Sequence, residues 1–288
     1  MKIVVLIGFQ YEDTICSNRA INTLLNRKDN VGTLRGALID LYLAYNFCQK
    51  MNADKISVIT DIEDEGDYVA AINEGIVDSN IDNFVAMLKT LNEYTKYENK
   101  ERLVKLLKER LTNGDELFLY YSGHAAKGSL ILPNLELLGI IELKKIVTHT
   151  ICSSGEIFVI MDCCQGIGFG LPYRLIDIEP IKYKKSVAES EKDYCDIKET
   201  QKIVCFSATL ISEDSITTQL GSIFSQIIFN LFDLQLTSLT QLFKLLSSHL
   251  SVVSHIQTAT IYTSDVTIQN LWPWLFKSDE ICKFLYRC

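Results

Sequence analysis

The chain is poor in the residues that break or cross-link folds. Its 4 prolines and 14 glycines in 288 residues exclude collagen-like and low-complexity architectures. No apolar run approaches the ~18 residues of a membrane span, so no membrane partner is expected. A basic excess is also missing. With 28 Lys+Arg against 36 Asp+Glu the formal charge is −8 and the pI near 5.1, which argues against a nucleic-acid partner. The nine cysteines include no CxxC pair, so a zinc site has no support and no metal or cofactor is expected. The apolar run Ile3–Ile7 is too short for a leader and lacks a small-residue cleavage site, so it reads as a buried first strand. A reducing, cytoplasmic home with mostly free thiols is the expectation. No glycine-rich phosphate loop follows that strand, where the sequence is Gly8-Phe9-Gln10-Tyr11, and this weighs against a nucleotide-binding α/β protein.

What is present is an ordinary globular balance, 48% hydrophobic and 22% charged. Apolar, β-branched runs predict strands at Val4–Ile7, Ile56–Thr60, Glu116–Tyr121, Leu130–Leu132, Ile157–Met161, Lys202–Phe206 and Thr258–Thr263. Helical spacing predicts helices at Gly36–Met51, Ile81–Leu91, Lys100–Leu111, Ile140–Thr148, Ser222–Leu231 and Leu239–Ser247. Alternation of the two, with unbroken apolar strands, implies an α/β fold: a mostly parallel sheet covered by helices on both faces. Pro172–Thr200 breaks the pattern. It is polar, carries Lys182, Lys184 and Lys185, and reads as a long functional or disordered loop.

Ligands of open α/β sheets bind beyond the carboxyl ends of the strands. Two such ends carry reactive side chains: Tyr120-Tyr121-Ser122-Gly123-His124 and Ile160-Met161-Asp162-Cys163-Cys164-Gln165-Gly166. An imidazole beside a thiol can hold a thiolate that attacks a carbonyl. Gly123 and Gly166 would let backbone approach a substrate and aim N–H groups at a developing oxyanion. Singly, a histidine or cysteine at a strand end is more often packing than chemistry; it is their joint occurrence that points to function. His149, His249 and His255 lack such a setting and read as structural.

These motifs resemble those of the metacaspases. Tyr121-Ser122-Gly123-His124 is similar to their "YSGHG", and Asp162-Cys163-Cys164-Gln165-Gly166 to their "DCCHSG", with a Cys-Gln-Gly end also similar to the "QACQG" of caspases. Leu34–Asp40 resembles "LxGCxND", Phe206–Thr209 with Gly221–Phe224 resembles "SA…G.FT", and Gln257–Tyr262 resembles "QTPQL". The likeness spans roughly residues 1–265. It implies a caspase-like αβα sandwich on a mostly parallel six-stranded sheet. The chain would be a single domain, with a large-subunit-like half (1–171), a linker loop (172–200) and a small-subunit-like half (201–288). It also implies a cysteine endopeptidase acting on protein or peptide substrates as a monomer or homodimer.

Carried over residue by residue, the resemblance makes His124 the base and Cys164, not Cys163, the nucleophile. The oxyanion hole falls to the backbone N–H groups of Ala125 and Cys164. The specificity (S1) pocket falls to Ala37, Asp40, Ser122 and Asp162, two carboxylates that suit the cation of an Arg or Lys. Arg35 lies one place from the position at which caspases hold a substrate Asp, so an Asp-directed pocket stays open as an alternative. Ala125 replaces the usual Gly after the histidine, which keeps open a third reading, an inactive relative that binds partners. Calcium-dependent metacaspases carry an Asp seven residues after the nucleophile. Here that residue is Leu171, and no carboxylate appears before Asp177, so calcium independence is expected. The first strand begins at residue 2, so no prodomain is expected. Lys184 and Lys185 are the candidate self-cleavage positions.

Overall fold

The computed structural model describes residues 1–11, 34–63, 68–112, 114–126, 128–151, 155–165, 168–178, 181–185, 201–210, 213–232, 239–253 and 257–265. The apolar runs become strands β1 (Lys2–Gly8), β2 (Lys55–Thr60), β4 (Glu116–Ser122), β8 (Glu156–Asp162) and β11 (Lys202–Ser207). A three-residue β3 (Tyr94–Lys96), which no apolar alternation announces, completes a run in the order β11-β8-β4-β1-β2-β3, with every neighbour parallel. The expected sheet is mostly parallel with six strands in all; the sheet found has nine among the described residues, and only this run is wholly parallel. β14 (Thr260–Thr263), β9 (Tyr173–Ile178) and β10 (Ile181–Lys185) extend it as antiparallel neighbours beyond β11.

The addition changes the reading of Pro172–Thr200. Its first part is a hairpin rather than a loop. Tyr173 and Arg174 pair with Thr263 and Tyr262, Leu175 is buried, and Tyr183 packs on the core. Charge hides the signal: Tyr183 alternates with Lys182 and Lys184, a period-2 pattern of a strand with one packed face. Lys184 and Lys185 are exposed on β10, the outermost strand, whose register is broken by a bulge between Lys182 and Tyr183. Lysines and a bulge are common means of blunting a free sheet edge. Residues 186–200 lie outside the described residues.

Short strands β5 (Ala125–Ala126), β6 (Ser129–Ile131) and β7 (Leu137–Gly139) form a small antiparallel sheet directly after β4. β12 (Thr217–Thr218) and β13 (Gly221–Ser222) form a two-residue ladder after β11. The helices are α1 (Ala37–Lys50), α2 (Val69–Asn73), α3 (Phe84–Thr90), α4 (Lys100–Leu111), α5 (Ile140–Thr150), α6 (Ile223–Phe232) and α7 (Leu239–Val253). Among the described residues none is long and apolar enough to cross a membrane. α4 shows the local logic: the Asn99 side chain caps the N–H of Arg102 at 2.8 Å, and Leu103, Leu106, Leu107 and Leu111 form its buried stripe.

Alternate residues of each central strand feed two cores. Val4, Leu6, Phe118, Tyr120, Phe158 and Phe206 pack with α1, α6 and α7 on one face. Val5, Leu117, Tyr121, Val159 and Cys205 pack with α4 and α5 on the other. This is why the strands read as continuous apolar runs. At the start of α1, Gly36 is fixed by proximity: a Cβ there would fall 2.4 Å from the Gly221 backbone. That contact seats α1 against β13 and brings residues of the first and second halves of the chain together.

Candidate active site

β4 and β8 are adjacent and parallel, with Ser122 opposite Asp162 in register. His124 and Cys164 therefore occupy equivalent places two residues beyond that pair, at the carboxyl end of the sheet. Both are nearly enclosed, at 3% and 8% exposure. The neighbouring Cys163 is turned into the core at 1% exposure. Burial pushes its thiol well above the ordinary range, and the neighbouring acidic groups of Cys164 and Asp162 push the same way. A thiol held neutral is a poor nucleophile. The turn after β8 is fixed from several sides. The Thr209 hydroxyl donates to the Cys163 carbonyl at 3.1 Å, and the Gln165 N–H to the Glu213 carbonyl at 2.8 Å. Gln165 takes the left-handed conformation at φ 52°, and Glu213 ties the same segment to the start of β14 by accepting from the Thr258 N–H at 2.8 Å. Gly166 lies outside the described residues.

Two glycine and alanine expectations resolve physically. Gly123 has no left-handed φ; it is required because a Cβ would lie 2.6 Å from the Tyr121 hydroxyl and 2.8 Å from that of Tyr11. Ala125 sits in strand β5 without a positive φ, so the backbone at this position makes no demand for glycine.

On the α1 side of the sheet the two acidic candidates come together. Asp40, in the first turn of α1, is fully buried. It accepts from the Ser122 hydroxyl at 3.0 Å and from the Ser222 N–H at 2.8 Å. Asp162 accepts from the hydroxyls of Ser215 at 2.9 Å and Ser225 at 2.5 Å. Because Ser225 spends its proton on Asp162, the Tyr120 hydroxyl, 2.6 Å away, must donate to Ser225. Burial raises the Asp40 carboxyl well above the carboxylate range, and the charge of Asp162 raises it further. Burial also raises Asp162, against the pull of the serine hydrogen bonds. Two carboxylates in one dry site do not both ionise readily, and an arriving cation relieves both. Ala37 is buried on the same turn of α1, whereas Arg35 is exposed on the turn preceding it. Ser215 and Ser225 are the candidate site residues that the sequence does not mark, being far along the chain from either motif, and it assigns no role to Tyr120, inside the first motif.

The remaining candidates separate from this site. His149 and His249 bond to carbonyls of their own helices, at Lys145 and Leu245, and are exposed; His255 lies outside the described residues. Cys48, Cys163, Cys164 and Cys205 are buried and form no disulfide among the described residues, and the other five cysteines lie outside those residues. A cavity of about 420 Å³ between α1 and α6 is lined by Tyr42, Phe47, Asp78 and Phe229 and includes none of the candidate site residues.

An enclosed histidine and cysteine at adjoining strand ends of such a sheet are an arrangement compatible with the cysteine-peptidase type of fold. The family model of the caspase domain matches residues 20–271, and the chain belongs to that family. A search of the curated proteins finds no match. Among solved structures the fold is similar to caspase-1 from Spodoptera frugiperda, at TM-score 0.51 and 12% identity, covering 91% of this chain and 85% of that one. It is also similar to a protein of Geobacter sulfurreducens, at TM-score 0.53 and 11% identity, covering 92% and 94%. At these identities the likeness concerns the fold.

Proposed function

We propose that this chain is a cysteine endopeptidase that cuts after Arg or Lys without calcium. In this reading the Cys164 thiolate attacks the scissile carbonyl carbon, the thiol proton having passed to His124. Backbone N–H groups of Ala125 and Cys164 receive the oxyanion. As the C–N bond breaks, His124 returns the proton to the leaving amine. Water then attacks the thioester with His124 as base, releasing the acid and restoring the thiol.

The observation that carries the specificity is the enclosed pair Asp40 and Asp162, at the base of the same strand ends that present His124 and Cys164. A guanidinium or ammonium there exchanges carboxylate repulsion for charge-assisted hydrogen bonds. A substrate Asp would bring a further carboxylate into a buried acidic site, and the exposed Arg35 is not among the groups bonded to either carboxyl. This supports the basic over the acidic preference. The buried Leu171, seven residues beyond Cys164, has no side-chain carboxylate to offer a calcium ion, which supports the calcium-free reading.

The test is labelling of Cys164 by an arginyl-ketone probe, followed by a peptide library varied at the residue before the cut. Cleavage confined to Arg and Lys is expected. Cleavage after Asp would reverse the pocket assignment, and a chain that neither labels nor cuts would be the inactive, partner-binding relative.

A further inference from the structure

The end of β1 reaches the histidine by an unusual route. The Phe9 N–H continues the ladder to the Ser122 carbonyl at 3.1 Å. The next two N–H groups, of Gln10 and Tyr11, each donate to one oxygen of the Asp61 carboxylate at 2.7 Å. This pair of hydrogen bonds to Asp61 accompanies a left-handed Tyr11, φ 65°, a conformation that side-chain-bearing residues adopt sparingly and that persists where surroundings enforce it. The buried Tyr11 side chain then lies under the loop after β4. Its hydroxyl accepts the His124 N–H at 2.8 Å and donates to the Ile131 carbonyl at 2.7 Å. Its ring stands 4.6 Å from the imidazole, centroid to centroid, inclined by 39°. From β4 itself the Tyr121 hydroxyl donates to the His124 carbonyl at 2.8 Å and lies 3.3 Å from that of Tyr11. Two buried phenols thus bond the N–H and the C=O of one residue, and Gly123 is kept free of a side chain by the space they fill.

We propose that Tyr11, seconded by Tyr121, is a positioning residue for catalysis: it fixes the main chain and the ring plane of His124 so that the imidazole meets Cys164. The proposal rests on the His124–Cys164 pair but not on the Arg or Lys preference. It assigns a task to the distorted end of β1, which a purely structural strand end would not need, and it makes Asp61 the anchor of that distortion.

The experiment reads the pair without a peptide substrate. The rate of Cys164 alkylation by iodoacetamide is followed against pH in the full chain, in His124→Ala and in Tyr11→Phe, and kcat and KM are measured alongside. Tyr11→Phe keeps the ring and loses the hydroxyl. It is expected to move the alkylation profile toward that of His124→Ala and to lower kcat about tenfold with KM within about twofold, as small misplacement of a catalytic group does. Should Tyr11→Phe fail to fold, Tyr121→Phe carries the same expectation at about threefold in kcat, because the Tyr11 hydroxyl still holds the His124 N–H. A His124-dependent profile that these variants leave untouched, with only the melting temperature lowered, overturns the proposal alone. A profile that His124→Ala does not change removes the dyad, and the proposal with it.

Discussion

The two faces of the sheet meet at β4, and its consecutive tyrosines serve opposite ends. Tyr120 points to the α1 side, where its hydroxyl heads a chain through Ser225 to Asp162. Tyr121 points to the other side, where its hydroxyl holds the carbonyl of His124. On the first face the satisfied groups are carboxylates, whose charge state a ligand or a change of pH can alter. On the second they are phenols and main-chain amides, which stay neutral across the physiological range; burial raises Tyr121 and Tyr11 further from ionisation. In the proposed mechanism the first face serves recognition that responds to its surroundings and the second holds His124 still.

The largest effects should come from the residues between the faces. Cys164→Ala and His124→Ala are each expected to abolish cleavage, the histidine by roughly 10²–10⁴-fold in kcat, with melting temperatures near that of the parent. Cys163→Ala should keep most activity. An essential Cys163 would mean that the strand-end register has been assigned one residue out.

The next effect separates the faces. Asp162→Asn should cost about 2–5 kcal/mol in kcat/KM for Arg substrates, the usual loss for one close charge contact to an enclosed ligand. The Cys164 alkylation profile should barely move, whereas Tyr11→Phe should show the converse. If the double variant Asp40→Asn, Asp162→Asn retained its Arg preference, the carboxylate face would have no part in recognition.

A third measurement tests the charge state of that face without catalysis. Both carboxyls have folded-state values above their unfolded ones. The folded chain therefore holds more protons than the unfolded chain, and stability falls as pH rises from about 4 through the raised values. The melting temperature of Asp162→Asn should fall less steeply over that window. Parallel curves for the two proteins would show that the Asp162 carboxyl is not held above its unfolded value.

The smallest effect concerns processing. Self-cleavage after Lys184 or Lys185 is expected on incubation, read by sequencing the new amino terminus. It should proceed slowly, because both residues are paired with Arg174 and Tyr173 in the outer hairpin and that strand must peel before it can be cut. The halves should stay together, since β14 and β11 hold the second half in the sheet. Cleavage that persists in Cys164→Ala would point to another protease.

The central strands were legible because burial on both faces leaves an unbroken apolar run, as at Ile157–Met161. The outer hairpin was not, because a strand packed on one face and lined with lysines resembles a solvated loop. β3 and α2 are too short for periodicity to mark. In the site, His124, Cys164, Asp40 and Asp162 sit in compact motifs of neighbouring residues. Ser215, Ser225 and Tyr11 enter only through the fold. A serine that completes a carboxylate's hydrogen bonds from far along the chain, or a tyrosine carried over by an Asp61 clamp, leaves no local pattern.

The close approach of Gly36 to Gly221 has a consequence for the order of events in synthesis. A growing chain exposes His124 and Cys164 well before it has made Ser215, Ser222 and Ser225, so the chemical groups precede the scaffold that completes the carboxylate site. Asp40 in particular accepts its Ser222 N–H across a separation of 182 residues, a contact that must wait for nearly the whole domain. A chain stopped at residue 210 is expected to carry the thiol and imidazole yet to bind no arginyl-ketone probe. Recognition would then act as a built-in timer that keeps an unfinished peptidase from meeting its substrates.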